Sequence, residues 1–242
     1  MNYQKRLKWA FISGIAGAIC WIVGDIYVAG FDVDPKNYPL FYSTYSEKVD
    51  VGLATLMLEG SINRLMFGAL IAAMTATLFL PGVWLVYQYI LDKNTWYARG
   101  TYYLLVISVM LMPLGHAVFY FTGEIYKAIY NTDPVAHPYL LKIAAGFQKT
   151  MFITWGTAII TMLVAYLIFS IFIFAGKTNL PKWAGLISPL FLTIYQLPLK
   201  LILPPSDLRG WIGAAAFNIS YLIFFLLLLF CFKLPSEKET SQ

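Results

Sequence analysis

Residues 9–30 read WAFISGIAGAICWIVGDIYVAG, a run of 22 residues in which Asp25 is the one charged side chain. At about 1.5 Å per residue an α-helix of that length reaches about 33 Å, enough to cross a hydrocarbon core of about 30 Å. The run is too long for the apolar stretch of a signal peptide and carries no A-x-A cleavage site, so it reads as a retained membrane helix. Gly14, Gly17, Ala18, Trp21 and Asp25 fall on one helical stripe. Small residues let a neighbouring helix approach closely, which turns Asp25 toward the bundle.

Similar runs recur along the chain, at about 64–91, 100–122, 148–175, 183–203 and 211–232. The whole 242-residue sequence is 60% hydrophobic and 12% charged, with a mean hydropathy of +0.68. Soluble domains carry about 25% charged residues. This composition excludes an ordinary soluble enzyme, a disordered chain and a disulfide scaffold. Barrel strands alternate polar and apolar residues over about 10 positions, and these runs do not alternate. The expectation is an all-α integral membrane bundle of about six transmembrane helices, one transmembrane domain over 1–242. Cys20 and Cys231 lie in apolar runs with no CxxC pair and read as small buried hydrophobes.

Two long connections are expected, 31–63 and 123–147. Within the first, Leu53, Leu56, Met57 and Gly60 follow helical spacing, which predicts a short extracytoplasmic helix lying in the interface. The second carries Asn131-Thr132-Asp133-Pro134 and His137-Pro138, both turn signals. Pro189 and Pro198 should break the fifth span. Segments 1–8, 92–99, 176–182 and 233–242 hold nine basic and three acidic residues, against eight basic and nine acidic elsewhere. The positive-inside rule then places both termini in the cytoplasm, in a multi-pass plasma-membrane protein.

Ionisable residues within spans are costly and tend to mark sites. Most of those here fall toward the outer ends: Asp25, Glu59, Arg64, His116, Glu124, Lys149, Lys200 and Arg209. His116, Tyr120 and Glu124 share one helical face, as do Gln148, Phe152 and Trp155, and as do Trp211, Ala214, Asn218 and Tyr221. These stripes outline an outward-facing pocket for a small amphipathic or lipid-like molecule. Asp25, Glu59, His116 and Glu124 are the candidate catalytic groups. Trp21, Arg64, Tyr120, Gln148, Lys149, Trp155, Asn218 and Tyr221 are the candidate ligand-binding groups. The competing structural explanation is bracing, with Asp25 paired to Arg64, Glu124 to Lys149, and Lys200 and Arg209 reaching the headgroups.

Two histidines are too few for an ordinary zinc or bis-histidine haem site, so no metal and no cofactor are expected. There is no nucleophile elbow, no phosphate loop and no basic patch of nucleic-acid type. A carboxyl group in an apolar pocket can serve acid–base chemistry, and aromatic faces can stabilise a cation. Three readings follow: an intramembrane acid–base enzyme of isomerase or cyclase type, a binding or proton-coupled transport protein, and a structural subunit braced by its charges. The lipid bilayer is the first partner, and the glycine faces permit a homodimer.

Several strings occur together: Gly24-Asp25, Asn63-Arg64-Leu65, Gly115-His116-Ala117, Gly176-Lys177-Thr178, Pro181-Lys182-Trp183, and Asn218 in the last span. With them the chain resembles a family of small bacterial integral membrane proteins known only as a domain of unknown function. The resemblance implies the helical architecture and points to Asp25, Arg64, His116 and Asn218. It implies no activity.

Overall fold

The computed structural model describes residues 2–233 and 235, apart from the Lys200 side chain. Glu237, Lys238 and Glu239, which enter the cytoplasmic charge balance, lie outside the described residues, as does the expected headgroup contact of Lys200. Eight α-helices are described: α1 Tyr3–Ala29, α2 Val51–Glu59, α3 Ile62–Thr75, α4 Phe79–Gln88, α5 Trp96–Asn131, α6 His137–Phe174, α7 Pro189–Ile202 and α8 Asp207–Cys231. Among the described residues no strand forms, only an isolated bridge between Ile90 and Thr178.

Local chemistry sets the helix starts. Asn2, Asp50, Ser61 and Ser206 cap α1, α2, α3 and α8, each side chain accepting from the backbone N–H three residues on. Between α3 and α4 the chain tightens into a 3-10 turn at Ala76–Leu78, just before Pro81, which has no N–H to offer. Ser13 on α1 donates to the Leu78 carbonyl there, at 2.8 Å.

Among the described residues five segments are long and apolar enough to cross a membrane: α1, α3–α4 together, α5, α6 with its preceding turn, and α8. The expected fifth span, 183–203, differs. Its first part, Lys182–Ile187, is 3-10 helix, and the α-helical remainder has 14 residues. Pro189 opens α7 instead of breaking it, because the first turn needs no N–H from that position. The expected connection 123–147 is mostly helix. α5 runs on to Asn131 and α6 starts at His137, leaving 132–136 as the turn. Glu124, Lys127, Lys142 and Lys149 end the apolar windows, but backbone hydrogen bonding is indifferent to that polarity. At 36 and 38 residues, α5 and α6 reach about 54 and 57 Å, well past a core of about 30 Å.

α1 packs against α3, α4 and α8, α5 against α3, α4 and α6, and α7 against α8. Hydroxyl and amide groups tie these helices where water is scarce. Ser108 donates to the Ala158 carbonyl (2.8 Å), Ser170 meets Ser188 (2.7 Å), and Gln196 and Thr193 on α7 both reach Ser220 on α8. The α1–α3 crossing is a backbone contact. A Cβ on Gly68 would lie 2.7 Å from the Gly24 carbonyl oxygen, and one on Gly24 would lie 2.9 Å from that of Gly68.

Buried side chains form two clusters. One holds Phe11, Trp21, Phe79, Met112, Tyr166, Tyr221 and Phe224. The other holds Val28, Phe41, Met57, Leu65, Tyr126 and Leu141. Along α1 the change of cluster falls between Trp21 and Val28, and along α5 between Met112 and Phe119. Asp25 and His116 occupy that seam.

Candidate functional site

Asp25, on α1, has an acceptor oxygen for each of two other helices. His116 Nε2 of α5 lies 2.9 Å from Oδ1, and Asn218 Nδ2 of α8 donates to Oδ2 at 2.7 Å. The side chains of His116 and Asp25 are 3% and 16% exposed, so the pair is largely withdrawn from solvent. On insertion scales an aspartate at the centre of a span costs about 3 kcal/mol, and hydrogen bonds to a charged group return about 1.5–3 kcal/mol each. Two such bonds therefore suffice to hold Asp25 where it is.

The seam is not fully satisfied. His116 Nδ1, Asn218 Oδ1 and Trp21 Nε1 are buried and have no hydrogen-bond partner. Trp21 meets the His116 ring edge to face at 4.8 Å. A carboxylate on Nε2 fixes the imidazole orientation, which leaves Nδ1 as the ring nitrogen without a partner. His137 makes the contrast. Its Nδ1 accepts from Tyr45 at 2.7 Å and its Nε2 donates to the Thr132 carbonyl at 3.1 Å, so both nitrogens are occupied and it pins the α5–α6 turn to the 38–45 segment.

Asp25 and His116 line a cavity of about 410 Å³. Leu53 and Leu56 of α2, Phe119 of α5, and Phe152 and Trp155 of α6 supply apolar walls. An ion pair stands on the same cavity: Arg209 binds Asp32 at 2.5 Å, and Asp32 also accepts from the Ser206 N–H at 2.8 Å. Along α8, Arg209 precedes Asn218 by nine residues, about 13 Å. The cavity thus carries one ion pair at the helix ends and one carboxylate–histidine hydrogen bond deep in the bundle, with aromatic surface near both.

The remaining sequence candidates are dispersed. Arg64 does not meet Asp25. It donates to the Ile26 carbonyl at 2.8 Å and lies 3.8 Å above the Phe31 ring, closing the end of α1. Glu59 is exposed and accepts from Tyr38 at 2.7 Å; burial first, and then this bond to the carboxylate, push the Tyr38 phenol up to about 12. Glu124 is half-buried one turn from Tyr120, with Oε1 unpartnered and no ion pair to Lys149. Gln148 accepts from Tyr126 at 3.2 Å, and Lys149 is exposed. Tyr221 belongs to the deeper aromatic core, 5.4 Å from Tyr166 and stacked 6.0 Å from Phe225. Asp32 is a residue that sequence reasoning misses. It follows the first span by two residues, where a loop carboxylate gives no signal until Arg209 is brought beside it.

These helices and this seam define a multi-pass, helical membrane protein whose buried polar residues converge from three helices. The description "Family of unknown function (DUF6796)" applies to a family model that matches residues 1–234, and the chain belongs to that family. No curated protein and no solved structure matches it.

Proposed function

We propose that this protein takes a small amphipathic, lipid-like molecule into the cavity above Asp25 and His116, and that the two residues act on it as an acid–base pair. One observation carries the reading: a carboxylate–histidine pair lies in the wall of a largely apolar cavity, with His116 Nδ1 still unpartnered. Asp25 orients the imidazole. Nδ1 would remove or return a proton, as an isomerisation or cyclisation requires. Phe119, Phe152 and Trp155 would hold the apolar body and stabilise developing positive charge.

The chain would sit in the plasma membrane with six crossings and both termini cytoplasmic. Tyr3 bonds Gln88, and the Leu91 N–H bonds the Lys177 carbonyl, so the start of α1, the α4–α5 turn and the end of α6 share one end of the bundle. Segments 2–8, 88–99 and 175–182, at that end, hold seven basic residues against Asp92 alone, which supports a cytoplasmic assignment. Asp32 and Ser206 meet at the other end. The stretch from Lys182 to Ile202 would then be the sixth crossing, and the reach of its six 3-10 and 14 α-helical residues, about 33 Å, supports that. α2 would then lie in the outer interface as part of the cavity wall.

The test compares lipid extracts of cells producing the wild type, Asp25→Asn and His116→Gln at equal membrane levels. A lipid or isoprenoid-like species altered by the wild type and by neither variant is expected. Identical profiles in all three, with no small molecule retained by the purified wild type in native mass spectrometry, would sink the proposal. A second reading rests on the fact that both Asp25 oxygens are held by other helices: the cluster is a brace. In that case the variants lose thermal stability alone.

A further inference from the structure

A second pocket opens on the outside of the bundle, where the end of α1 meets the starts of α3 and α8. It measures about 340 Å³, and its wall includes Tyr27, Phe31, Arg64, Asp207 and Trp211. It shares only Phe31 with the Asp25–His116 cavity. Between the two, α8 closes against the chain, since a Cβ on Gly210 would stand 2.8 Å from the Phe31 carbonyl carbon.

The pocket holds two opposite charges that do not neutralise each other. Arg64 gives one N–H to the Ile26 carbonyl and lies over the Phe31 ring. Neither partner carries a charge, and a guanidinium has five N–H donors, so charge and donors both remain. Among the described residues the Asp207 carboxylate has no hydrogen bond and no ion pair, and it acts on Arg64 only through its field. Asp207 is exposed, and two aromatic side chains stand on the same wall, Trp211 at 43% and Tyr27 at 40% exposure. A carboxylate beside aromatic faces suits an ammonium group, and a guanidinium suits a phosphate. The pocket also leads into an apolar surface. Tyr27 packs on Phe67 at 5.0 Å, and Phe67, Leu70 and Met74 lie exposed along one face of α3, running from the Arg64 end toward the middle of the span. Tryptophan and tyrosine favour the level of lipid headgroups.

We propose that this pocket holds one zwitterionic phospholipid of the phosphatidylethanolamine type. Its ammonium sits on Asp207 beside Tyr27 and Trp211, its phosphate on Arg64, and an acyl chain along the exposed face of α3. Charge complementarity selects this occupant. An anionic lipid would set its net charge against Asp207, and a soluble zwitterion would leave the apolar face uncovered. The site uses none of the Asp25–His116 chemistry and stands or falls without it.

Native mass spectrometry of the detergent-purified full chain tests it, titrated in parallel with phosphatidylethanolamine, phosphatidylglycerol and the chain-free headgroup glycerophosphoethanolamine. The wild type should hold one phosphatidylethanolamine about tenfold more tightly than phosphatidylglycerol, the ratio that one charge-assisted hydrogen bond supplies, and the free headgroup only weakly. Asp207→Asn keeps the shape, removes the charge and should bring that ratio below about threefold. Trp211→Leu should weaken phosphatidylethanolamine about threefold through the lost aromatic face. Glu47→Gln removes an exposed carboxylate of the 31–63 connection outside the pocket and should change either affinity less than about twofold. Asp207 and Trp211 are exposed, so the lipid-free melting temperature reports that each variant is folded. Equal affinity for the two lipids, an unchanged ratio in Asp207→Asn, an equal loss in Glu47→Gln, or a free headgroup that binds as tightly as the lipid would each overturn the proposal.

Discussion

Asp25 and Asp32 are seven residues apart and have opposite circumstances. Asp32 meets an arginine where helix ends approach solvent, and ion pairs of that kind are screened and stabilise little. Asp25 is held by a histidine and an amide inside the bundle, where losing the acceptor strands two buried donors. Asp25→Ala should therefore cost about 2–4 kcal/mol, and Asp32→Ala less. Reversible unfolding in mixed micelles measures both, and a larger loss for Asp32 would contradict the assignment. His137→Ala should loosen the α5–α6 turn, seen as faster proteolysis around Thr132, because the Tyr45 hydroxyl and the Thr132 carbonyl lose their partners. Lys93 gives a pH prediction. Burial alone lowers its ammonium from 10.5 to about 8, and Nζ has no hydrogen-bond partner. Between pH 8 and 10.5 the unfolded chain retains a proton that the folded chain has released, so stability rises with pH across that window. Lys93→Met should abolish this contribution and raise the melting temperature at pH 7. A difference between wild type and variant that is flat from pH 7 to 10.5 would refute it.

At the scale of elements, the α1–α3 crossing is the least forgiving contact. Gly24 and Gly68 face each other's carbonyl oxygens, and backbone cannot rotate away as a side chain can. Gly68→Ala should destabilise by about 1–3 kcal/mol through overpacking. Gly100→Ala, with open space around its Cβ, should instead be neutral or slightly stabilising. Equal melting temperatures for the two variants would show that the helices do not meet so closely. The Gly24-Asp25 pairing is thus one device. The glycine sets the approach of α3, and the next residue turns toward α5 and α8. The stripe of small residues ending in Asp25 is legible in the sequence, because helical periodicity fixes which residues share a face. The reach of α5 and α6 is not, since hydropathy windows register where lipid would end and the helix continues past that level. The apolar run 183–203 overstates α7 for the converse reason, as it includes residues wound as 3-10 helix up to Ile187.

For the molecule as a whole, the seam between two cores is the feature that matters. An apolar interior without it would pack as one cluster, and the polar atoms of His116, Asn218 and Trp21 would have no place near one another. The sequence alone is enough for the class: runs of about 20 apolar residues have few homes other than a bilayer, and backbone hydrogen bonding there requires helices. It also singles out Asp25, His116 and Asn218, since a polar group within a span is costly enough to stand out. How they combine is set by tertiary packing. Asp25 pairs with His116 rather than with Arg64, Tyr221 joins the core rather than the cavity, and Asp32 comes to Arg209 across the fold. Helical periodicity states which face a side chain occupies, but the partner is chosen by how helices are arranged around one another, and that arrangement is a property of packing across the whole bundle.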